Sequence, residues 1–77
     1  MVYGIDTDFL VAVEISEHPF HLQADGLLQS LLAGRHEFAV APQTLAEFIH
    51  VVTDPKRMPQ PLSINEAISR AEHWWQA

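Results

Sequence analysis

At 77 residues the chain is one domain at most and buries only ~60% of the surface its unfolded form exposes, and its 48% hydrophobic content excludes a disordered chain. Ten acids against four bases (Arg35, Lys56, Arg57 and Arg70) give a formal net charge of −6, which excludes simple electrostatic capture of nucleic acid but not a nuclease whose metal ion supplies the positive charge. The chain has no cysteine, which excludes disulfides and thiolate metal sites and suits a reducing cytosol; no apolar run approaches the ~18 residues of a membrane span, and no signal peptide is expected.

In chain order, residues 2–6 read as a short strand buried on both faces, ending at Asp6. Asp8 is placed to cap a helix over roughly residues 8–15 with its carboxylate on the helix N-terminus. Ser16-Glu17-His18 is a turn and Pro19 suits a first helical position. Phe20, Ala24, Leu27, Leu28, Leu31 and Leu32 then repeat at helical spacing until Gly34, the expected C-cap, with Gly26 as an internal cost. Residues 37–41 are the second strand. Pro42 opens a third helix with Leu45, Phe48, Ile49 and Val52 on one face, closed at Thr53-Asp54-Pro55. Pro55, Pro59 and Pro61 stiffen the connection, and Ser63-Ile64-Asn65-Glu66 is a capping box that starts a last helix with Ile64, Ala67, Ile68, Ala71 and one of Trp74 and Trp75 on its apolar side. The order βααβαα predicts an α/β fold with a short parallel sheet flanked by helices.

Two acids, Asp6 and Asp8, stand between two apolar runs, and a buried ionised carboxylate needs a partner. In open parallel sheets, sites lie outside the carboxyl ends of the strands. Asp6 is at such an end, and Glu47 is early in the helix after the second strand. If the two strands are neighbours, both carboxylates converge, and carboxylates with waters suit Mg²⁺ or Mn²⁺. Such an ion polarises a phosphodiester and activates water. The plainer readings are a helix cap for Asp8, a strand-end residue bonded to backbone amides for Asp6, and a solvated helix position for Glu47.

Gly4-Ile5-Asp6-Thr7-Asp8-Phe9-Leu10-Val11-Ala12 resembles the opening of a PIN domain, and Ala41-Pro42-Gln43-Thr44-Leu45-Ala46-Glu47-Phe48, followed by Val51-Val52-Thr53-Asp54-Pro55 and Arg57, resembles that family's second acidic motif. The resemblance implies a metal-dependent ribonuclease, in many members a toxin of the VapC type held inactive by a partner antitoxin. It assigns Asp6 and Glu47 as catalytic Mg²⁺ (or Mn²⁺) ligands, with Asp8 as a neighbour that shapes the metal site, and RNA as substrate; the cytoplasm as expected location rests on the absence of cysteine. The family continues through further strands that bring more aspartates to the metal, and Glu66 and Glu72 do not match them. Residues 1–77 are therefore expected to be a single shortened PIN-like domain, weak or inactive as a nuclease.

The rival reading is a non-catalytic remnant or interaction module that associates with itself or another chain, because a short sheet leaves open edges. Trp74-Trp75 supports it, since only one of two adjacent residues can face a helix's apolar side. Three smaller signals remain. Glu47 and His50 have the spacing of a di-metal helical bundle, which predicts no strands. His18 and His21 are spaced to share a metal, and Lys56 and Arg57 are placed to touch RNA phosphates.

Overall fold

A computed structural model describes residues 2–76, with side chains described from Gly4 to Trp75. The elements are β1 (Val2–Gly4), α1 (Thr7–Glu14), α2 (His21–Ala33), β2 (Glu37–Ala39), α3 (Pro42–Val52) and α4 (Ile64–Gln76). Contacts within the chain cluster into two compact units, Met1–Ala39 and Val40–Ala77.

The expected α/β architecture is corrected: the chain is mostly helical, with helices of 8, 13, 11 and 13 residues. Among the described residues strand structure is confined to one parallel ladder of three residues on each side, Val2 opposite Glu37, Tyr3 opposite Phe38 and Gly4 opposite Ala39, extended by the Ile5 amide donating to the Ala39 carbonyl at 3.0 Å. That is too little to form a sheet layer for helices to cover. The physical reason lies in what the apolar faces found: α1 packs on α2, and α3 packs on α4, so helices cover helices. β2 is correspondingly unburied, with Glu37 and Ala39 exposed around a half-buried Phe38. Of the strand expected to be buried on both faces, Gly4 is exposed and Ile5 buried; the side chains of Val2 and Tyr3 lie outside the described residues.

In the first unit the core is Ile5 with Leu10, Val11, Ala12 and Ile15, met by Ala24 from α2. The two helices are joined by a turn in which the His18 amide donates to the Ile15 carbonyl and the His21 amide to the His18 carbonyl. α2 ends in a Schellman arrangement: the His36 amide donates to the Leu31 carbonyl at 3.2 Å and the Arg35 amide to the Leu32 carbonyl at 3.0 Å. Gly34 is the C-cap, but its φ is −79°, and the left-handed position falls on Arg35 at φ 58°. What Gly34 provides is space, since a Cβ there would lie 3.0 Å from the His36 ring.

The second unit is an αα-hairpin. Pro42 takes the first turn of α3, where its missing N–H costs nothing. Leu45, Phe48 and Val52 form one buried face at i, i+3 and i+7. Ala67 and Ala71 answer them from α4, and their small side chains let the helices approach closely. Thr53 closes α3 by donating its hydroxyl to the Ile49 carbonyl at 2.7 Å. The Leu62 amide returns to the Val52 carbonyl at 2.8 Å, and the Ser63 hydroxyl accepts the Glu66 amide at 3.1 Å as the capping box requires.

Candidate functional site

Asp6 caps α1. Its backbone is extended at φ −94° and ψ 168°, and its Oδ1 accepts the Phe9 amide at 2.8 Å, three residues on. This corrects the assignment of the cap to Asp8, which lies inside the first turn and places its charge near the positive end of the helix dipole. The slip is one of register: the helix starts at Thr7, so the residue before it, Asp6, has the free φ/ψ an N-cap needs. Asp6 and Asp8 are both exposed. Among the described residues no polar or charged side chain is buried, so the desolvation argument that made these acids suspicious does not operate.

Glu47 lies in the second unit, on the exposed side of α3. It lines an open recess of about 500 Å³ together with Gln43, Ala46, His50, Val51 and Arg57. Helical spacing puts Gln43, Glu47, His50 and Val51 on one face, and the turn after α3 brings Arg57 to it. That turn is built by Asp54: its Oδ1 accepts the Lys56 amide at 2.9 Å, its carbonyl accepts the Arg57 and Met58 amides, and its Oδ2 lies 3.7 Å from Arg57 Nε. The recess therefore combines a carboxylate, an imidazole and a guanidinium, a set suited to polar or anionic groups.

Asp6 and Glu47 thus belong to different units, each with a local setting of its own. Among the described residues no group of three or more His, Asp or Glu side chains is arranged to hold a metal ion. The histidine pair is occupied otherwise. His18 Nδ1 accepts the Phe20 amide at 3.0 Å, and the His21 ring Nδ1 bonds the Ala12 carbonyl at 2.8 Å, pinning α2 to α1. The di-metal bundle suggested by Glu47 and His50 predicted no strands, and the β1–β2 ladder answers that.

Sequence reasoning gave less weight to a different surface. In the second unit an apolar groove of about 360 Å³ runs along the hairpin, lined from α3 by Pro42, Leu45, Ala46 and Ile49 and from α4 by Ile68, Ala71, Glu72 and Trp75. Pro42 at the start of α3 and Trp75 near the end of α4 share it, so the helices are antiparallel. Its α4 wall, Ile68 and Trp75, together with Ile64, forms an exposed ridge at i, i+4 and i+11 on one face of α4. Trp74 turns toward the hairpin and is half-buried, while Trp75 is 61% exposed. In the first unit Leu22, Leu27 and Leu32 of α2 are exposed, Leu22 at 84%. The signal for both surfaces was in the sequence: apolar residues on α2 and α4 outnumber those one packed neighbour can cover.

Among the described residues no helix is long and apolar enough to cross a membrane. No protein-family model, no curated protein and no solved structure matches the chain.

Proposed function

We propose that this chain works by protein contact, as an interaction module that associates with itself or with another chain. The observation that carries the reading is the set of large apolar side chains left in solvent on helices that already have a packed neighbour: Leu22, Leu27 and Leu32 on α2, and Ile64, Ile68 and Trp75 on α4. Singly exposed apolar residues are ordinary, but exposed apolar side chains that share one helix face and wall an apolar groove are the form contact surfaces take. The three-residue ladder adds to this, because so short a pairing stabilises little by itself. A cytoplasmic setting goes with this reading, since a chain without cysteine gains nothing from an oxidising compartment.

A second reading is a metal-dependent ribonuclease of the PIN kind, weak or inactive in this chain alone. The resemblance assigns Asp6 and Glu47 to Mg²⁺ or Mn²⁺ with Asp8 adjacent, and implies RNA as substrate and an antitoxin as restraint. The support for this reading is the sequence resemblance and the exposure of all three carboxylates, which leaves them reachable by a hydrated cation.

Thermal unfolding separates the two. A ligand of the folded state at about 100 times its Kd stabilises by ~2.7 kcal/mol, or on the order of 10 °C for a chain of this size. The contact reading expects no such shift with Mg²⁺ or Mn²⁺, and a melting temperature that rises with protein concentration or on adding the partner chain. A metal-induced rise together with RNA cleavage that is lost in Asp6→Asn overturns it.

A further inference from the structure

We infer that the α3–α4 face of residues 40–77 is a homodimerisation surface, occupied by the same face of a second copy of this chain. The inference rests on the contact reading above and names its partner and its surface.

Shape is the first argument. A two-fold interface joins one patch to itself, so that patch must carry both a projection and a recess to receive it. The hairpin has them together: Ile68 and Trp75, with Ile64 on the same face of α4, stand up as one wall of an apolar groove whose lining includes the small residues Ala46 and Ala71. The ridge of one copy fits the groove of the other, extending two helices to four. An αα-hairpin buries only one face of each helix, and a second hairpin is the smallest addition that covers the rest.

Charge is the second argument. The net charge of −6 is unevenly divided. The first unit has six acids (Asp6, Asp8, Glu14, Glu17, Asp25 and Glu37) against Arg35 alone. The second has four (Glu47, Asp54, Glu66 and Glu72) against Lys56, Arg57 and Arg70. Two copies meeting through the first unit would bring like charge together, whereas two hairpins meet near neutrality. Glu72 is the charged residue of the groove lining, and Arg70 is already bonded to Glu66 at 2.9 Å. Neither side offers the concentrated charge that would select a strongly basic or acidic partner.

Area is the third. Trp75, 61% exposed, presents on the order of 150 Å², and with the two isoleucines the ridge reaches about 300 Å², the size of the largest apolar patch on an ordinary monomer, which is often a functional one. Two ridges supply about 600 Å², and at the ~65% apolar fraction of homodimer interfaces this implies roughly 900–1,000 Å² in all. That falls at or just under the ~1,000 Å² expected of a specific contact, the size of a weak, readily reversible association.

Sedimentation equilibrium of the whole chain, from about 10 μM to about 1 mM, tests this. The expected result is a reversible monomer–dimer equilibrium that added NaCl does not weaken. Ile68→Glu weakens it at least about 10-fold, whereas Leu22→Glu on α2 leaves it unchanged. Trp75→Glu, at a more exposed position, serves as the second variant, and circular dichroism verifies that each is folded. A chain that is monomeric at every concentration overturns the inference, as does a dimer that salt dissociates. A dimer lost in Leu22→Glu or Leu27→Glu but retained in the α4 variants also overturns it, while leaving the contact reading intact. The contact reading fails separately, on metal-dependent cleavage.

Discussion

Replacing Asp6 by alanine and by asparagine separates the helix-capping role seen in the structure from the metal-ligand role the sequence suggests. α1 has only 8 residues, well under the ~12–15 at which an isolated helix becomes even marginal in water. It persists because Leu10, Val11 and Ala12 are buried and because Asp6 satisfies the Phe9 amide at 2.8 Å. Loss of an aspartate cap costs ~0.5–2 kcal/mol, typically about 1. Asp6→Ala removes the side-chain bond to the Phe9 amide and is expected at about 1–2 kcal/mol. Asparagine keeps the accepting oxygen and gives up only the charge–dipole part, ~0.3–1 kcal/mol, with Asp8 still in the first turn. Asp6→Asn is therefore expected at about 0.5 kcal/mol. Urea unfolding followed by far-ultraviolet circular dichroism at fixed protein concentration measures both, and about 1 kcal/mol corresponds to ~4–8 °C in melting temperature at this size. Amide exchange at Phe9 should accelerate in the alanine variant and stay near the parent rate in the asparagine one. If Asp6→Ala lies within about 0.3 kcal/mol of the parent, the cap contributes nothing and the argument fails. If asparagine costs as much as alanine, the charge rather than the bond to Phe9 is what matters.

Gly26→Ala should stabilise α2 by about 0.5–1 kcal/mol, because nothing lies within 4 Å of a Cβ at that position; a higher melting temperature checks it. Arg35→Gly should stabilise by up to about 1–2 kcal/mol by relieving a left-handed backbone at φ 58°, visible as a raised urea midpoint with an unchanged slope. Phe48→Ala empties a fully buried position in the hairpin and should cost ~3–5 kcal/mol. That runs from about a quarter to all of the ~4–12 kcal/mol expected of a chain this long, so a strongly lowered urea midpoint, read by helical circular dichroism, is the outcome to look for.

Sequence signals set by local geometry were legible. Pro42 marks the first turn of α3, the Ser63 hydroxyl takes the Glu66 amide as one half of the expected capping box while the Glu66 carboxylate accepts from Arg70, and Gly34 stands at the end of α2. What failed were inferences needing knowledge of what each element packs against. An apolar run such as Val2–Ile5 reads the same whether helices cover it or not, and only the observed pairing of α1 with α2 and α3 with α4 shows that the helical faces were satisfied by each other. The misassigned cap has the same origin at smaller scale. Both aspartates can cap a helix, and one residue of register decides which one does. Once α1 starts at Thr7, Asp6 gains a structural task and Asp8 becomes a first-turn charge.

The surplus of apolar residues, by contrast, was countable from the sequence, though its location was not. α4 carries Ile64, Ala67, Ile68, Ala71, Trp74 and Trp75 within one helix. A single antiparallel neighbour of 11 residues covers about one face of such a helix. The small members, Ala67 and Ala71, went into the hairpin because they permit the closest approach to Phe48 and Val52, the large fully buried residues of α3. That choice sends Ile64, Ile68 and Trp75 outward on one face of α4. Close packing inside the hairpin and an uncovered apolar ridge outside it are therefore two results of one arrangement of side-chain sizes. Enlarging Ala67 or Ala71 to seat α4 differently would disturb both at once.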